Sequence, residues 1–392
     1  MTEPLRIGVA GLGRAFTLML PTFLADARVA LVAAADPRPE ARARFAAEFG
    51  GRSYDSVDAM VRDAAVEVVY VATPHEHHAE HACLAARAGR HVLVEKPMAI
   101  TLADCDAMIE AAHSAHVHLQ VGPSHSYDAP IRRTRELIAS GAHGAARMIT
   151  AHYFTDFLYR PRRPEELDTS RGGGVLLSQG AHQVDIVRLL AGGRARSVRA
   201  VTCAWDPQRP TEGAYSALLT FDDGVVATLV YSGYGHFDGN VLCNGITELG
   251  RPADAGARAW RSAPPAGDEA AQKRARSYGG NAFALPAQGA HFHEHFGFVL
   301  ASCERADLHA LPDAVMVHGG AAAWREPLPP PRVPRVEVID ELVAAVRDGI
   351  PPQHDGPWSR ATLEVCLAMR ESSRARRDVQ LVLQVPLREA SG

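Results

Sequence analysis

The first 36 residues constrain the fold more than any other part of the chain. A short apolar run at residues 5–10 leads directly into Gly11-Leu12-Gly13, which is followed by an apolar segment at residues 17–24. The run has the length of a buried β-strand, and the later segment can form a helix. Gly11 permits a tight turn, and Gly13 lets a phosphate approach the backbone where that helix starts. The pattern therefore predicts a strand, a phosphate-binding turn and a helix.

A second apolar run, at residues 29–35, ends in Asp36, which stands 25 residues after Gly11. A carboxylate at this strand end can accept hydrogen bonds from both ribose hydroxyls of NAD and repels the 2′-phosphate of NADP. We expect NAD, with NADP as the alternative because Arg38 is close. Asp36 could also cap the next helix, and the two roles are compatible. The predicted cofactor-binding residues in this part of the chain are Gly11, Leu12, Gly13, Arg14, Ala15, Phe16 (in place of a third glycine), Asp36 and Arg38.

Strands and helices continue to alternate up to about residue 126. Apolar runs at 66–72, 91–94 and 117–121 predict strands, and residues 76–88 and 102–115 predict helices. This alternation indicates an α/β domain at residues 1–126, with a doubly wound parallel sheet of the Rossmann type. Ligands of such sheets bind beyond the carboxyl ends of the strands. Residues at two strand ends therefore join the predicted cofactor site: Thr73, Pro74, His75, Glu95, Lys96 and Pro97.

Residues 127–392 predict a second domain of α+β type, built on an open and mainly antiparallel sheet. Strands are predicted at 148–155, 198–204, 215–221 and 225–231, and helices at 336–347 and 358–374. Asp222-Asp223-Gly224 joins two of the strands and is typical of a hairpin turn. Residues from about 250 to 288 have no clear periodicity, and we interpret them as an insertion.

A run of three glycines, Gly172–Gly174, precedes an amphipathic segment that carries His182 and Asp185. Three residues apart on a helix, these two side chains point to the same side. Removing a hydride from a carbinol carbon requires the hydroxyl proton to leave as well, which suits a histidine and a lysine beside a bound nucleotide. Lys96 and His182 are the predicted catalytic residues, and Ser178 and Asp185 are predicted to lie near the substrate.

Taken together, these motifs resemble the Gfo/Idh/MocA family of oxidoreductases. The resemblance implies that Lys96 and His182 flank the nicotinamide ring, that the Lys96–Pro97 bond is often cis, and that His78 packs nearby or touches the cofactor edge. Many members carry an aspartate four residues before the histidine, where this chain has Ser178. The matching residues are Gly11-Leu12-Gly13, Asp36, Ala72-Thr73-Pro74, His78, Glu95-Lys96-Pro97 and the segment from Gly172 to Asp185.

The substrate is suggested by three arginines just before the glycine run, Arg160, Arg162 and Arg163. Arginine binds carboxylates through two parallel hydrogen bonds, although these residues could also form a solvated basic loop. Residues 297–308 and 351–358 resemble the branch of phthalate 4,5-cis-dihydrodiol dehydrogenases, which favours an anionic substrate. We expect NAD-dependent oxidation of a cis-dihydrodiol of an aromatic carboxylate. The alternatives are a sugar or inositol dehydrogenase and a non-catalytic NAD(P)-dependent binding or sensor protein.

The 19 histidines raise the question of a metal site. His77 and His81 stand four apart on a predicted helix, and His291, His293 and His295 alternate as on a strand. Because no H-E-x-x-H pattern occurs, we favour packing for the first pair. The second group is typical of an exposed polar loop, and we leave its role unassigned. No metal is predicted.

Composition limits the partners of this chain. A net charge of −4 offers no general attraction to nucleic acid or membranes, and no apolar stretch approaches the length of a membrane span. The first strand starts a few residues after Met1, and we therefore expect no signal peptide. Six scattered cysteines without a C-x-x-C pattern favour reduced thiols in the cytoplasm. We expect a homodimer or homotetramer that forms through the open C-terminal sheet.

Overall fold

The computed structural model describes residues 3–253, 267–285 and 292–388. The chain divides into two compact units. The first unit comprises Met1–Pro123, Asp268–Gly289 and Val333–Arg360, and the second comprises Ser124–Gly267, Ala290–Arg332 and Ala361–Gly392. Two later segments therefore belong to the first unit, whereas the sequence placed them in a domain at 127–392.

The first unit contains a six-stranded sheet in which every neighbouring pair is parallel. Its strand order, β3-β2-β1-β4-β5-β6, is the doubly wound arrangement predicted from the sequence. The strands are β1 (Leu5–Ala10), β2 (Val29–Ala35), β3 (Arg52–Tyr54), β4 (Val68–Val71), β5 (His91–Val94) and β6 (Leu119–Val121). Its helices are α1 (Arg14–Ala25), α2 (Pro39–Phe49), α3 (Val57–Val61), α4 (His78–Arg87) and α5 (Leu102–Ser114).

The later segments of the first unit pack on this sheet and its helices through specific contacts. The ring of Tyr278 meets that of Phe16 edge to face, with centroids 5.2 Å apart. The Gln120 amide donates to the Val338 carbonyl, 3.0 Å away. These contacts join residues more than 200 positions apart in the sequence, so local sequence patterns do not reveal them. The residues of the predicted insertion that the structure describes include a helix, α8 (Glu269–Arg276).

The second unit contains a nine-stranded mixed sheet, which confirms the predicted fold class. The strands β7 and β10 are parallel, and every other neighbouring pair is antiparallel. The order is β14-β13-β12-β11-β7-β10-β9-β8-β15. The strands are β7 (Ala146–Phe154), β8 (Ala195–Cys203), β9 (Ala214–Phe221), β10 (Val226–Ser232), β11 (Phe298–Cys303), β12 (Ala306–Leu311), β13 (Ala314–Gly319), β14 (Ala323–Pro327) and β15 (Val379–Gln380).

One face of this sheet is covered by helices, and the opposite face carries exposed apolar side chains. Helix α7 (Ala181–Leu190) packs on β7 and β10, whereas α6 (Ala129–Ala139) packs on β12 and β13. On the opposite face Met148, Val201 and Leu218 are 43%, 58% and 43% exposed. The remaining helices are α9 (Val336–Asp348), which belongs to the first unit, and α10 (Gly356–Ala375), which runs from the first unit into the second.

The helices of the described residues include none that is both long and apolar enough to cross a membrane. All six cysteines are free thiols.

Candidate active site

The turn between β1 and α1 has the geometry that a phosphate-binding loop requires. Gly11 has a φ of +92°, and a Cβ added there would lie 2.9 Å from the Ala72 carbonyl oxygen. A Cβ at Gly13 would meet no atom within 4 Å. Among the described residues, no side chain caps the start of α1 and no acid lies in its first turn. The backbone N–H groups of this turn therefore suit a pyrophosphate.

Asp36 lies directly beside this turn. Its carboxylate accepts the backbone N–H of Leu12 at 2.8 Å and two bonds from the Arg38 guanidinium at 3.0 and 3.1 Å. Arg38 also donates to the carbonyl oxygens of Leu12 and Tyr278. Helix α2 begins at Pro39 with Arg38 as its N-cap, so Asp36 does not cap it. The Asp36 carboxylate thus lies at the end of β2, where it could accept hydrogen bonds from ribose hydroxyls. This arrangement fits NAD.

His78 joins the two other motif loops of the first unit. Its Nδ1 lies 2.9 Å from the Pro97 carbonyl oxygen, and its Nε2 lies 2.9 Å from that of Thr73. Burial lowers the pKa of His78 to about 4, so the ring is neutral at pH 7. The Lys96–Pro97 peptide bond is cis. His78 therefore helps to position the loop that carries Lys96.

Glu95, beside that lysine, is an internal residue. It is 7% exposed and accepts a hydrogen bond from the Tyr70 hydroxyl at 2.5 Å. Burial raises its pKa above the usual range of a glutamate. These contacts favour a role in holding the loop over a direct contact with the cofactor.

His182 follows an irregular start of α7 in the second unit. Residues Leu176–Gly180 form a π-turn, and the Ser178 hydroxyl donates to the Gly174 carbonyl oxygen. Gly174 has a φ of +85°, and a Cβ there would collide with the side chain of Thr211. The glycine run is therefore required by close packing, and it leads the chain into the helix that carries His182.

The rings of His125 and Phe296 pack against the ring of His182. The centroid of the His125 ring lies 4.7 Å from that of His182, and the Phe296 ring lies 4.8 Å away. The His125 backbone N–H donates to His182 Nδ1 at 3.3 Å. Although burial favours neutral His125, the carboxylates of Asp128, at 2.7 Å, and Glu248, at 3.7 Å, raise its pKa to about 9. A charged imidazole thus lies next to the predicted catalytic histidine.

Asp185 is buried one turn after His182. Its carboxylate accepts hydrogen bonds from the hydroxyls of Ser126 and Thr362. The Arg188 guanidinium donates to the same Thr362 hydroxyl at 2.7 Å. These contacts tie α7 to α10 and to the segment before α6, which favours a supporting role for Asp185 over contact with substrate.

The three predicted arginines have different surroundings. Arg163 pairs with Glu165 and Glu166. Arg160 is 42% exposed and pairs with Asp156 at 2.8 Å and with Glu248 at 3.9 Å. Since Glu248 also faces His125, the loop lies near His182.

Arg162 differs from its neighbours because its side chain is only 10% exposed. The guanidinium lies 3.5 Å from the centroid of the Phe157 ring and donates twice to the Phe157 carbonyl oxygen. It also forms an ion pair with Glu166, at 3.6 Å. Burial lowers the pKa of Arg162 to about 10. A buried guanidinium that is held against an aromatic ring in this way has the chemistry to bind an anion.

The histidine-rich segment near residue 293 is not an exposed loop. His293 and His295 are buried, and each ring has its Nε2 at 2.9 Å from a backbone carbonyl oxygen, of Pro329 and Ile246 respectively. The alternation of polar residues here was misleading because the segment packs inside the second unit without forming a strand. His291 lies outside the described residues. Within those residues, no three His, Cys, Asp or Glu side chains are arranged to hold a metal ion.

Comparisons with known proteins agree with this geometry. Residues 5–123 match the model of an oxidoreductase family with an NAD-binding Rossmann fold, and residues 131–242 match the GFO/IDH/MocA C-terminal domain. A dehydrogenase of Comamonas testosteroni, named 1-carboxy-3-chloro-3,4-dihydroxycyclohexa-1,5-diene dehydrogenase, is 46% identical over 383 residues, which cover 94% of this chain and 95% of that protein. The chain belongs to the GFO/IDH/MocA oxidoreductase family.

Solved structures extend the comparison. A protein from Bordetella bronchiseptica RB50 described as a dehydrogenase is 40% identical, with a TM-score of 0.91 over 96% of this chain and all of the other. A levoglucosan dehydrogenase, solved with NADH and levoglucosan, is 19% identical with a TM-score of 0.72 over 97% of this chain and all of that one, and so shows the fold alone. The chain is thus an NAD-binding oxidoreductase of the GFO/IDH/MocA family.

Sequence analysis did not identify two residues of the candidate site, His125 and Glu248. His125 lies four residues after the end of β6, so the rule that drew attention to Thr73 and Lys96 could have found it. No sequence pattern indicated a role for Glu248, because it lies in an irregular segment far from His125 in sequence.

Proposed function

We propose that this protein is an NAD-dependent dehydrogenase that oxidises a cis-dihydrodiol of an aromatic carboxylate. The observation that carries the proposal is the 46% identity, over nearly the full length, to an enzyme named for a carboxylated dihydroxycyclohexadiene. A 1,5-anhydro-D-fructose reductase of Ensifer adhaerens is 37% identical, but the match covers only 48% of this chain. A sugar substrate is therefore the weaker alternative. A dicarboxylate such as the phthalate dihydrodiol is one member of the proposed class.

The catalytic residues in this proposal are Lys96 and His182. Oxidation of the carbinol removes a hydride, which NAD accepts, and the hydroxyl proton leaves to a side chain. The resulting ketone regains aromaticity by tautomerisation, so the overall reaction is strongly favourable and a modest base suffices. The Ser178 hydroxyl donates to the Gly174 carbonyl oxygen, and it offers no carboxylate to assist.

The substrate carboxylate has a candidate partner in Arg162. Its guanidinium is buried and stacked on Phe157. The side chains of Arg160 and Arg163 are more exposed, at 42% and 29%, and an ion pair is weaker where solvent screens the charges. A bidentate bond to a buried arginine is among the stronger polar contacts a protein can make.

The test measures NADH fluorescence with a panel of substrates. The panel holds 3,4-dihydroxycyclohexa-1,5-diene-1-carboxylate, the phthalate 4,5-dihydrodiol, the dihydrodiol without a carboxylate, levoglucosan and myo-inositol. We expect the highest kcat/KM on a carboxylated dihydrodiol. Higher kcat/KM on either polyol would overturn the proposal, and the absence of NADH formation with NADH binding intact would favour a sensor.

Substitution of the arginines tests the carboxylate contact separately. Arg162→Met retains much of the packing, and we expect it to lower kcat/KM on the carboxylated dihydrodiol roughly thirtyfold, on the order of 2 kcal/mol. The uncarboxylated substrate should be nearly unaffected. Arg163→Met is the matched control and should change neither. Equal losses on both substrates would assign Arg162 to structure.

We also propose that the exposed face of the nine-stranded sheet packs on a second copy of the chain. Support comes from Met148, Val201 and Leu218, apolar side chains that are about half exposed on one side of the sheet. Leu218→Glu should convert a dimer or tetramer to a smaller species, measured by light scattering after gel filtration. A wild-type monomer would contradict this proposal.

A further inference from the structure

The protonation state of His182 is constrained by the backbone of His125. The N–H of residue 125 donates to His182 Nδ1 at 3.3 Å. A nitrogen that accepts a hydrogen bond has a lone pair and no proton, so a neutral His182 must have its proton on Nε2. Ser178, one turn earlier, presents a hydroxyl to Gly174 and no carboxylate that would require a proton on Nδ1.

The His125 backbone is held in place by its own side chain. Its ring lies between the carboxylates of Asp128 and Glu248, and it also contacts the Phe296 ring at 5.1 Å. Glu248 also pairs with Arg160, and His295 lies close enough to His125 to interact with it electrostatically. A charged His125, 4.7 Å from His182, opposes a second positive charge on that ring.

We propose that His125 is a positioning residue that holds His182 with its proton on Nε2, so that His182 donates a hydrogen bond to the substrate oxygen instead of removing its proton. The proposal rests on the dehydrogenase function given above. It makes Lys96 the proton acceptor and His182 a hydrogen-bond donor, an assignment that the sequence had left open.

The reaction balances with this assignment. The carbinol C–H bond breaks with its electron pair, which passes as hydride to NAD. The hydroxyl O–H bond breaks and its proton passes to the neutral amine of Lys96, which becomes an ammonium. His182 keeps its proton throughout, and its Nε2–H stabilises the negative charge that develops on the substrate oxygen.

Nitrogen NMR tests the tautomer without any measurement of activity. Protein labelled with ¹⁵N-histidine gives distinct signals for protonated and unprotonated ring nitrogens, and His182→Gln identifies the His182 signals by their loss. His295 is an internal reference, because its Nδ1 accepts the Gly297 N–H at 3.0 Å while its Nε2 faces the Ile246 carbonyl. We expect His182 to be neutral at pH 7.5 with its proton on Nε2. A proton on Nδ1, or on both nitrogens, would overturn the proposal even if the enzyme is active as proposed.

A pair of substitutions tests the role of His125. His125→Phe keeps a ring against Phe296 but loses the contact with Asp128. We expect about a tenfold lower kcat, an altered pH profile of kcat, unchanged NADH binding, and a mixture of His182 tautomers. Asp128→Asn, a milder change, should act in the same direction by a few-fold.

The matched control is His118→Phe. The His118 backbone N–H also donates to a neighbouring histidine Nδ1, that of His91 at 3.0 Å, and the two rings stack. This pair lies at the amino ends of β5 and β6, away from the motif loops. His118→Phe should leave kcat and the His182 signals unchanged. If His125→Phe matches this control in both tautomer and pH profile, His125 has only a structural role.

Discussion

The candidate functional residues of the two units are positioned in different ways. In the first unit, the candidate cofactor-binding residues follow consecutive strands, with Gly11 in the turn after β1 and Asp36, whose carboxylate accepts the Leu12 N–H, after β2. In the second unit, side chains from separate segments meet, with His125 and His182 brought against Phe296. The first kind of site is readable from a local motif, whereas the second needs the folded chain.

The largest effect is expected at the two proposed catalytic residues, Lys96 and His182. We predict that Lys96→Ala and His182→Ala each lower kcat by about 100-fold or more, because the proposal gives both side chains roles that are exerted mainly in the transition state. The dissociation constant of NADH, measured by fluorescence titration, should change by less than about threefold. His113→Ala, at an exposed position on α5, is the control. If either variant turns over at a near-normal rate, the substituted residue is not catalytic.

A second prediction concerns the candidate cofactor site of the first unit. Asp36→Ala removes the ribose acceptor and releases Arg38 from its carboxylate partner, so NADH should bind about tenfold more weakly and NADPH more tightly. The double variant Asp36→Ala/Arg38→Ala should lose the gain for NADPH. Asp63→Ala, a buried aspartate paired with Arg52 in the same unit, serves as the matched control. Equal binding of NADH and NADPH by the unmodified protein would be inconsistent with the assignment of Asp36.

Much of the fold followed from periodicity, and the exceptions have physical causes. The predicted strand at 91–94 matches β5, and the hairpin at Asp222-Asp223-Gly224 joins β9 to β10 as expected. Helix α2 was missed because its sequence, rich in alanine and arginine, buries only Ala41 and Phe45. Strands β11 to β14 were missed because short strands are stabilised by their neighbours in the sheet more than by their own composition.

The candidate site, like the fold, contains parts that the sequence predicted and parts that it did not. The cofactor side was predicted because a parallel sheet places the ends of its strands at one edge, and the loops with Gly11, Thr73 and Lys96 follow three such strands. The contacts of His182 with Phe296 and Glu248 with His125 depend on tertiary packing, which no local pattern encodes. Nor could charge alone separate Arg162 from its two neighbours, since it differs from them in its burial and in its contacts with Phe157.

A third prediction contrasts a buried histidine from each unit. His78 has a lowered pKa, about 4, so its contribution to stability is lost as pH falls from about 6.5 toward 4. His125 has a raised pKa, about 9, so its contribution is present below about 6.5 and is lost as pH rises toward 9. Each contribution is on the order of 3 kcal/mol.

Thermal unfolding across pH 4–10 checks these opposite dependences. His78→Gln should flatten the fall in Tm on the acid side, whereas His125→Phe should flatten the fall on the alkaline side. Each variant is the control for the other. A parallel shift of the whole curve, with its shape unchanged, would show that the substitution removed packing and that the histidine does not titrate as described.

The smallest effect is expected at Ser178, where the family often has an aspartate. Its hydroxyl donates to the Gly174 carbonyl oxygen, so Ser178→Ala should cost about 1 kcal/mol of stability and leave kcat within about twofold. Ser140→Ala, which removes a hydroxyl bonded to the Leu137 carbonyl in α6, is the matched control. Ser178→Asp should lower Tm further, because a carboxylate repels that carbonyl oxygen, and it should not raise kcat if the His125 N–H sets the tautomer of His182. A tenfold loss of kcat in Ser178→Ala would instead assign Ser178 to proton transfer, and the second unit would then contain a catalytic group that its side-chain contacts do not reveal.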